Sequence, residues 1–344
     1  MNCRALSLFA AIKEYLLFHT VRLAIVIFAL LLCGATGRAA EATRIRVGVP
    51  TLNMVVIAFT AGKENGYYRE EGLDVDFVWM SAPMALQALI GGSVEFTTVT
   101  GSAMPAMLAG APLVNIFSSY QRPMYWLFSK PEINSVRELK GRKVGVSGIG
   151  SGPATVLAEV LKKNGLEGGR DVPLLALGRM PDAAAGLFSG TVDAAMLAPP
   201  FNITAKESGF RELVSFLKED FVELQGSIVL REELLKSNPA LVERFSRATL
   251  KGLMYAREQR SGTVAVLVRY LKINKTDAEK YYDSVREVMT RDGTVNERLV
   301  QKLYHLAVER FKPKDPPPID RIFDFSMSKK INGQLQAVGW RPKP

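Results

Sequence analysis

Hydrophobic positions along the chain fall into two regimes. Residues 23–33 form one unbroken apolar run behind Arg4, Lys13 and Arg22, and small residues follow at Gly34, Ala35, Gly37, Ala39 and Ala40. Basic, then apolar, then small residues predict an export signal over residues 1–39, cleaved after Ala39 or, alternatively, after Ala42. A helix over that run is roughly 16 Å long, against a hydrocarbon core of about 30 Å, so it is too short for a permanent span. Leu32 stands before Cys33 where lipoprotein signals carry a small residue, which argues against lipidation. From residue 43 onward, short apolar runs alternate with amphipathic stretches. The pattern predicts strand 45–49, helix 55–65 closed by Gly66, strand 75–80, helix 82–90 closed by Gly91-Gly92, and strand 96–99.

The body then repeats itself. Arg46-Val47-Gly48-Val49 recurs as Lys143-Val144-Gly145-Val146, and Asp74-Val75 recurs as Asp171-Val172, both 97 residues on. Residues 83–95, from Pro83 to Val94-Glu95, match 181–193, from Pro181 to Val192-Asp193, without a gap at an offset of 98. Three blocks in one order at nearly one offset predict two equivalent lobes, each reading strand, helix, strand, helix, strand. Such alternation specifies α/β lobes built on open, parallel-type sheets with a cleft between them. The lobes are expected to share the chain as 43–121 (lobe I), 122–224 (lobe II) and 225–344 (lobe I again). The connection 113–130 supplies one strand of a two-strand hinge. After it, 226–231 reads as a strand and 232 to about 289 as mostly helix. Asn238-Pro239 opens the helix 240–257, and another starts at Asp277. The chain is expected to cross back near 222–226 so that these helices bury against lobe I. A proline-rich loop at 312–319 precedes a last helix near 322–332.

Composition removes several chemistries. The chain is 48% hydrophobic and 23% charged, with 44 Lys and Arg against 34 Asp and Glu, a globular balance. Its cysteines, Cys3 and Cys33, both precede the body, and its histidines are His19 and His305. A body with one histidine and no cysteine builds no zinc cluster, thiolate nucleophile or Cys/His pair, so neither metal nor cofactor is expected. Without residues 1–39 the net charge falls from +10 to +7, with acids scattered throughout, which does not describe a nucleic-acid binder.

In open sheets of this kind, ligands bind beyond the strand tips, where helix N-termini point free N–H groups into the crevice. The tips here carry Pro50-Thr51-Leu52-Asn53, Ser81-Ala82-Pro83, Thr100-Gly101-Ser102, Ser147 to Pro153, Arg179-Met180-Pro181 and Ala198-Pro199-Pro200-Phe201. A hydroxyl followed closely by proline starts a helix, so Ser81, Ser102 and Ser151 read as N-caps as well as ligand contacts. Gly148, Gly150 and Gly152 approach a dinucleotide fingerprint, but Pro153 stands where its last glycine belongs and the next strand ends at Gly178-Arg179 without an acid. They read instead as a backbone nest. Arg179 holds in the second lobe the place of Ser81 in the first, where it could pair with an anionic group or simply be solvated. Tyr120 and the methionines near the tips make the expected pocket partly apolar, suited to an organic ligand.

These stretches resemble a known family, the periplasmic solute-binding proteins of ABC importers, in the branch linked to nitrate, sulfonates such as taurine, and thiamine pyrimidine precursors. The resemblance runs over about 44–268. It rests on Glu64-Asn65-Gly66-Tyr67-Tyr68 through Asp74-Val75, on the block ending at Glu95, on Leu139 to Val146 with Gly150-Ser151-Gly152, and on Gly190 to Asp193 with Pro199. It implies a type II binding fold, a solute carried to a membrane permease, a periplasmic location whether soluble or held by an uncleaved signal, and a monomer. It implies ligand contacts at Asn53, Ser81, Thr100, Gly101, Ser102, Ser147, Ser151 and Arg179. With Thr51, Ala82, Tyr120, Gly150, Gly152 and Pro199 from the tips, these are the expected site, for a solute that is organic and, if Arg179 pairs with it, anionic. Met180 and the 198–200 turn depart from the aromatic-rich turn of sulfonate binders. The resemblance also leaves open a pyrimidine-synthase-like enzyme, which would need an active-site histidine, and a sensing subunit of a membrane receptor.

Overall fold

The repeated blocks become the same three-stranded unit twice. The computed structural model describes residues 42–50, 54–149, 151–217 and 221–343, so the expected export signal lies outside the described residues. The first half runs β1 (Thr43–Val49), α1 (Ile57–Glu64), β2 (Leu73–Trp79), α2 (Ala82–Ile90), β3 (Phe96–Thr97), α3 (Thr100–Leu108) and β4 (Leu113–Tyr120). The second runs β5 (Trp126–Ser129), β6 (Val144–Val146), α4 (Gly152–Lys163), β7 (Leu174–Ala176), α5 (Met180–Phe188), β8 (Ala194–Leu197), α6 (Phe201–Glu207) and β9 (Arg211–Ser215). Strand β10 (Gln225–Arg231) follows. After it come α7 (Pro239–Glu258), α8 (Arg260–Leu271), α9 (Lys275–Val285), α10 (Glu297–Phe311) and α11 (Ser326–Ala337). Among the described residues no helix is long and apolar enough to cross a membrane.

Two five-stranded sheets result, ordered β2-β1-β3-β10-β4 and β7-β6-β8-β5-β9. Strands β2-β1-β3 and β7-β6-β8 are parallel within each unit. One small device is common to both. The Glu95 carboxylate accepts from the Arg46 N–H (2.7 Å) as the Glu95 N–H donates to the Arg46 carbonyl (3.1 Å). Asp193 does the same with Lys143, at 3.0 and 2.8 Å. The acid that ends each repeated block thus ties the third strand to the first, where a central strand would otherwise leave a donor unpaired.

The expectation of parallel-type sheets needs a correction, because both sheets are mixed. The fourth strand of each is antiparallel and comes directly from the other half. Strand β10 pairs antiparallel with β3 and β4, and β5 with β8 and β9. The reason is connectivity. A strand that enters from the opposite sheet, without a crossover helix, runs against the parallel set. The chain leaves the first sheet after Tyr120 and re-enters it at Gln225, and these two residues are paired with each other.

The helices after β10 bury against the first sheet. Asn238 caps α7, its Oδ1 accepting from the Leu241 N–H at 3.1 Å, with Pro239 next in the first turn. Buried Phe245 of α7 lies in an aromatic group with Phe59, Tyr68 and Phe96. The last helix begins at Ser326 rather than near 322. Asp324 donates its N–H to the Asn115 carbonyl (3.0 Å) and Phe323 bridges to Asn115, holding 323–324 extended beside β4 and delaying the helix. Helix α10 packs on α3, and its Glu309 pairs with Lys162 of α4 at 3.2 Å, so it touches both halves.

Candidate functional site

Ser81 and Ser151 cap as their sequence predicts, because capping is decided within one turn. Ser81 Oγ accepts from the Met84 N–H and Ser151 Oγ from the Ala154 N–H, each at 3.4 Å. Ser151 also donates to the Gly148 carbonyl (2.7 Å) and accepts from Ser147 Oγ (3.3 Å), which ties it to the residues just past β6. Ser102 does not cap. Helix α3 starts earlier, with the Ala103 N–H on the Val99 carbonyl (3.1 Å), while the buried Thr100 hydroxyl accepts from the Asn115 amide at 2.8 Å. Tertiary contact with β4 therefore sets this helix start. Pro105 falls inside the helix and has no N–H to give the Gly101 carbonyl.

Other expected residues lie as follows. Arg179 is the residue before α5, as Ser81 is before α2, but its side chain is 79% exposed and forks onto Asp182 at 3.0 and 3.2 Å. That pairing holds the Asp182 carboxyl below its ordinary range. Tyr120 was expected at the pocket and is instead completely buried in the core, since every residue of β4 is buried. Pro199 is buried; Ala82 is half-buried at the start of α2. Thr51, Asn53 and Gly150 lie outside the described residues. Trp79 at the end of β2, Met84 in the first turn of α2 and Ile149 past β6 are large apolar side chains left exposed.

The starts of α3 and α4, from opposite halves, meet at Glu223 in the second crossing. A Cβ placed on Gly152 would stand 2.1 Å from Glu223 Oε1, and one on Gly101 would stand 3.6 Å from it. Glycine at 152 is what lets the carboxyl sit against the first turn of α4. The other oxygen, Oε2, accepts from the Gln225 amide at 3.2 Å. A hollow of about 70 Å³ opens here, lined by Thr100, Gly101 and Met104 of α3, Gly152, Thr155 and Glu159 of α4, residues 222–224, and the last turns of α10. Of the expected site it gathers Thr100, Gly101 and Gly152; Ser81, Ser102, Ser147, Ser151, Arg179 and Pro199 do not line it.

Burial pushes the Glu223 carboxyl up to about 8, the nearby charge of Glu159 adds to the rise, and the Gln225 bond opposes it. The Glu159 carboxyl is raised by burial too, against the pull of Lys163, Lys302 and Arg310. Unfolded glutamate titrates near about 4.3, so the native state binds the extra proton between there and about 8. The stabilisation linked to Glu223 is thus full below that window and is lost as pH rises through 8. Glu223→Gln is expected to melt less steeply downward between pH 6 and 9 than the parent. Thermal unfolding at both pH values checks this, and identical drops in the two proteins would refute the burial of this carboxyl.

Sequence reasoning missed Glu223 and two further groups. Thr98 Oγ1 and Asn202 Oδ1 are buried with no hydrogen-bond partner, Thr98 just past β3 and Asn202 in the first turn of α6, the helix that follows β8, the matching strand of the other sheet. Unpaired buried polar atoms at a strand tip await a donor or acceptor from elsewhere. The signal available was position alone, since both follow a strand of the repeated unit.

The profile of the family described as NMT1/THI5 like matches residues 53–261. The chain belongs to the NMT1/THI5-like family. Among its relatives, the riboflavin-binding protein RibY of Chloroflexus aurantiacus is 27% identical over 223 residues, 59% of this chain. The match spans 62% of the length of RibY. Two solved structures share the fold of this NMT1/THI5-like chain. The periplasmic nitrate-binding protein NrtA from Synechocystis PCC 6803 superposes with a TM-score of 0.72 at 13% identity, over 86% of this chain and 90% of NrtA. The desulfurization enzyme DszB superposes at 0.65 with 16% identity, over 85% of this chain and 99% of DszB.

Proposed function

We propose that the protein is an extracytoplasmic solute-binding protein, which captures a small organic molecule between its two sheets and delivers it to an ABC permease in the membrane. The observation that carries this reading is the meeting of helix starts from opposite halves at one hollow beside a crossing. Membership of the family and the likeness to NrtA support it. On this reading 43–121 with 225–344, and 122–224, are the two lobes. The two connections between the sheets, after Tyr120 and before Gln225, are the hinge. Ser81, Ala82, Ser102, Ser147, Ser151, Arg179 and Pro199 then belong to the solute site together with the hollow, and backbone N–H groups give affinity along with side chains. On the same reading the chain is exported to the periplasm by a signal in residues 1–39 and works as a monomer that docks on its permease with both lobes.

The deciding experiment is native mass spectrometry of the purified protein to identify a retained solute, followed by solution scattering with that solute added back. Narrowing of the particle on saturation is expected. A profile unchanged by saturating solute counts against a closing binding protein. The likeness to DszB favours a second reading, an enzyme on the same fold. Among the described residues the histidine is His305, exposed on α10 with its ring 5.8 Å from that of Tyr304, and it does not line the hollow. Time-dependent conversion of the retained solute would favour the enzyme.

A further inference from the structure

The hollow beside Glu223 has a chemical bias. Glu159 and Glu223 line it, and its basic lining residue, Arg310, is exposed, with Phe311 on the same last turn 38% exposed. Its walls are apolar, with Met104 from α3, Val156 from α4 and Leu303 and Leu306 from α10. Among the described residues the hydrogen bond to the Glu223 carboxyl is made at Oε2, while Oε1 lies against Gly152 at the start of α4 and faces Gly101 at the start of α3. A carboxyl oxygen in an apolar pocket is stabilised by a donor from the occupant.

We propose that this hollow takes an organic cation, its protonated nitrogen against the carboxyls of Glu223 and Glu159 and its carbon skeleton against Met104, Val156 and Leu303. The proposal rests on the solute-binding reading above and deepens it by naming the class of solute. An anion such as nitrate would have to shed water beside two carboxyls, and it gains only the guanidinium at the rim. A cation instead completes what is already there. The starts of α3 and α4 lie against Glu223, and their partial positive charge favours its ionised form once burial is compensated by a counter-charge. Gln225 and Tyr125 adjoin Glu223, while Lys163, Lys302 and Arg310 act on Glu159. The group that gives way to the incoming charge is therefore the proton on Glu223. No covalent change is involved: a proton leaves to solvent as the cation enters.

The test uses benzylammonium and benzoate, alike in shape and opposite in charge, by isothermal titration of the whole purified protein. Benzylammonium is expected to bind saturably and, in buffers of differing ionisation heat near about pH 7, to release close to one proton per complex. Glu223→Gln and Glu159→Gln should each weaken it by roughly tenfold or more, and Glu223→Gln should abolish the proton release. Benzoate binding in preference, equal binding of both probes, binding of neither, or an affinity unmoved by both substitutions would overturn the proposal. Native mass spectrometry separates its failure from that of the solute-binding reading. A retained anion overturns the cation assignment while leaving solute capture standing, and a retained amine supports both.

Discussion

Phe245→Ala is expected to destabilise the protein by about 3–5 kcal/mol, the range for emptying a buried phenylalanine site. The ring is fully buried and lies face to face with Phe96, centroids 4.0 Å apart and planes 3° from parallel. Tyr68 stacks 5.4 Å away and Phe59 stands at 6.3 Å. The four rings come from four separate segments: α1, the short helix 67–70, β3 and α7. Each is held by its own backbone pairing, so none can move to fill the space. Against a typical total of about 5–15 kcal/mol, the loss removes much of the stability of the first sheet and its helices. Denaturant unfolding checks the value, and a loss below about 1 kcal/mol would mean that the stack does not hold these segments together. Phe96→Ala should cost a similar amount. The double variant should cost less than the sum, since both empty one site.

The location of this stack explains what the sequence could and could not reveal. Phe59 and Phe96 lie on elements whose period and caps were readable, and the repeat placed those elements in a lobe. The repeat was readable because Glu95 and Asp193 each perform the same backbone pairing, which keeps block length and end residue alike in both halves. Strand β10 was readable as a strand but not in its direction. An apolar run such as Gly226 to Leu230 has the same local pattern whichever way its neighbours run, and the antiparallel insertion is a property of the connection.

The site divides along the same line. Ser81 and Ser151 were legible because an N-cap needs only its own turn. Ser102 was misplaced because a partner 15 residues away, Asn115, engages Thr100 and the helix starts sooner. Tyr120, after Ser118 and Ser119, reads locally as a pocket aromatic, but β4 is covered on both faces, and alternation carries no information where both faces are buried. Glu223 sits in a crossing, between Val222 and Leu224, with nothing in its neighbours to say that two helix starts close around it. Its environment exists only after the chain has crossed twice.

Gly226→Ala should lower stability by about 2–4 kcal/mol and alter the Glu223 site at the same time. Gly226 is the second residue of β10, just past the second crossing, with φ +61°, a left-handed conformation that costs a residue with a Cβ roughly 1 kcal/mol. Space adds more: the new Cβ would lie 2.1 Å from the Val55 carbonyl oxygen and 2.9 Å from Ser119 Oγ. A carbonyl oxygen cannot rotate away as a side chain can, so the backbone of β10 must shift, an overpacking cost of about 1–3 kcal/mol. The shift has a direct route to the cleft. Ser119 Oγ donates to the Gly226 carbonyl (2.9 Å), Gln225 pairs with Tyr120, and the Gln225 amide holds Glu223 Oε2 (3.2 Å). Loosening that amide removes the bond that opposes the raised Glu223 pKa, so the fall in melting temperature from pH 6 to 9 should be steeper in Gly226→Ala than in the parent. Unfolding curves at the two pH values read both effects. An alanine variant as stable as the parent would show that β10 enters the first sheet by another path, whereas a destabilised variant with the parent's pH dependence would show that Gln225 does not tie the strand to Glu223.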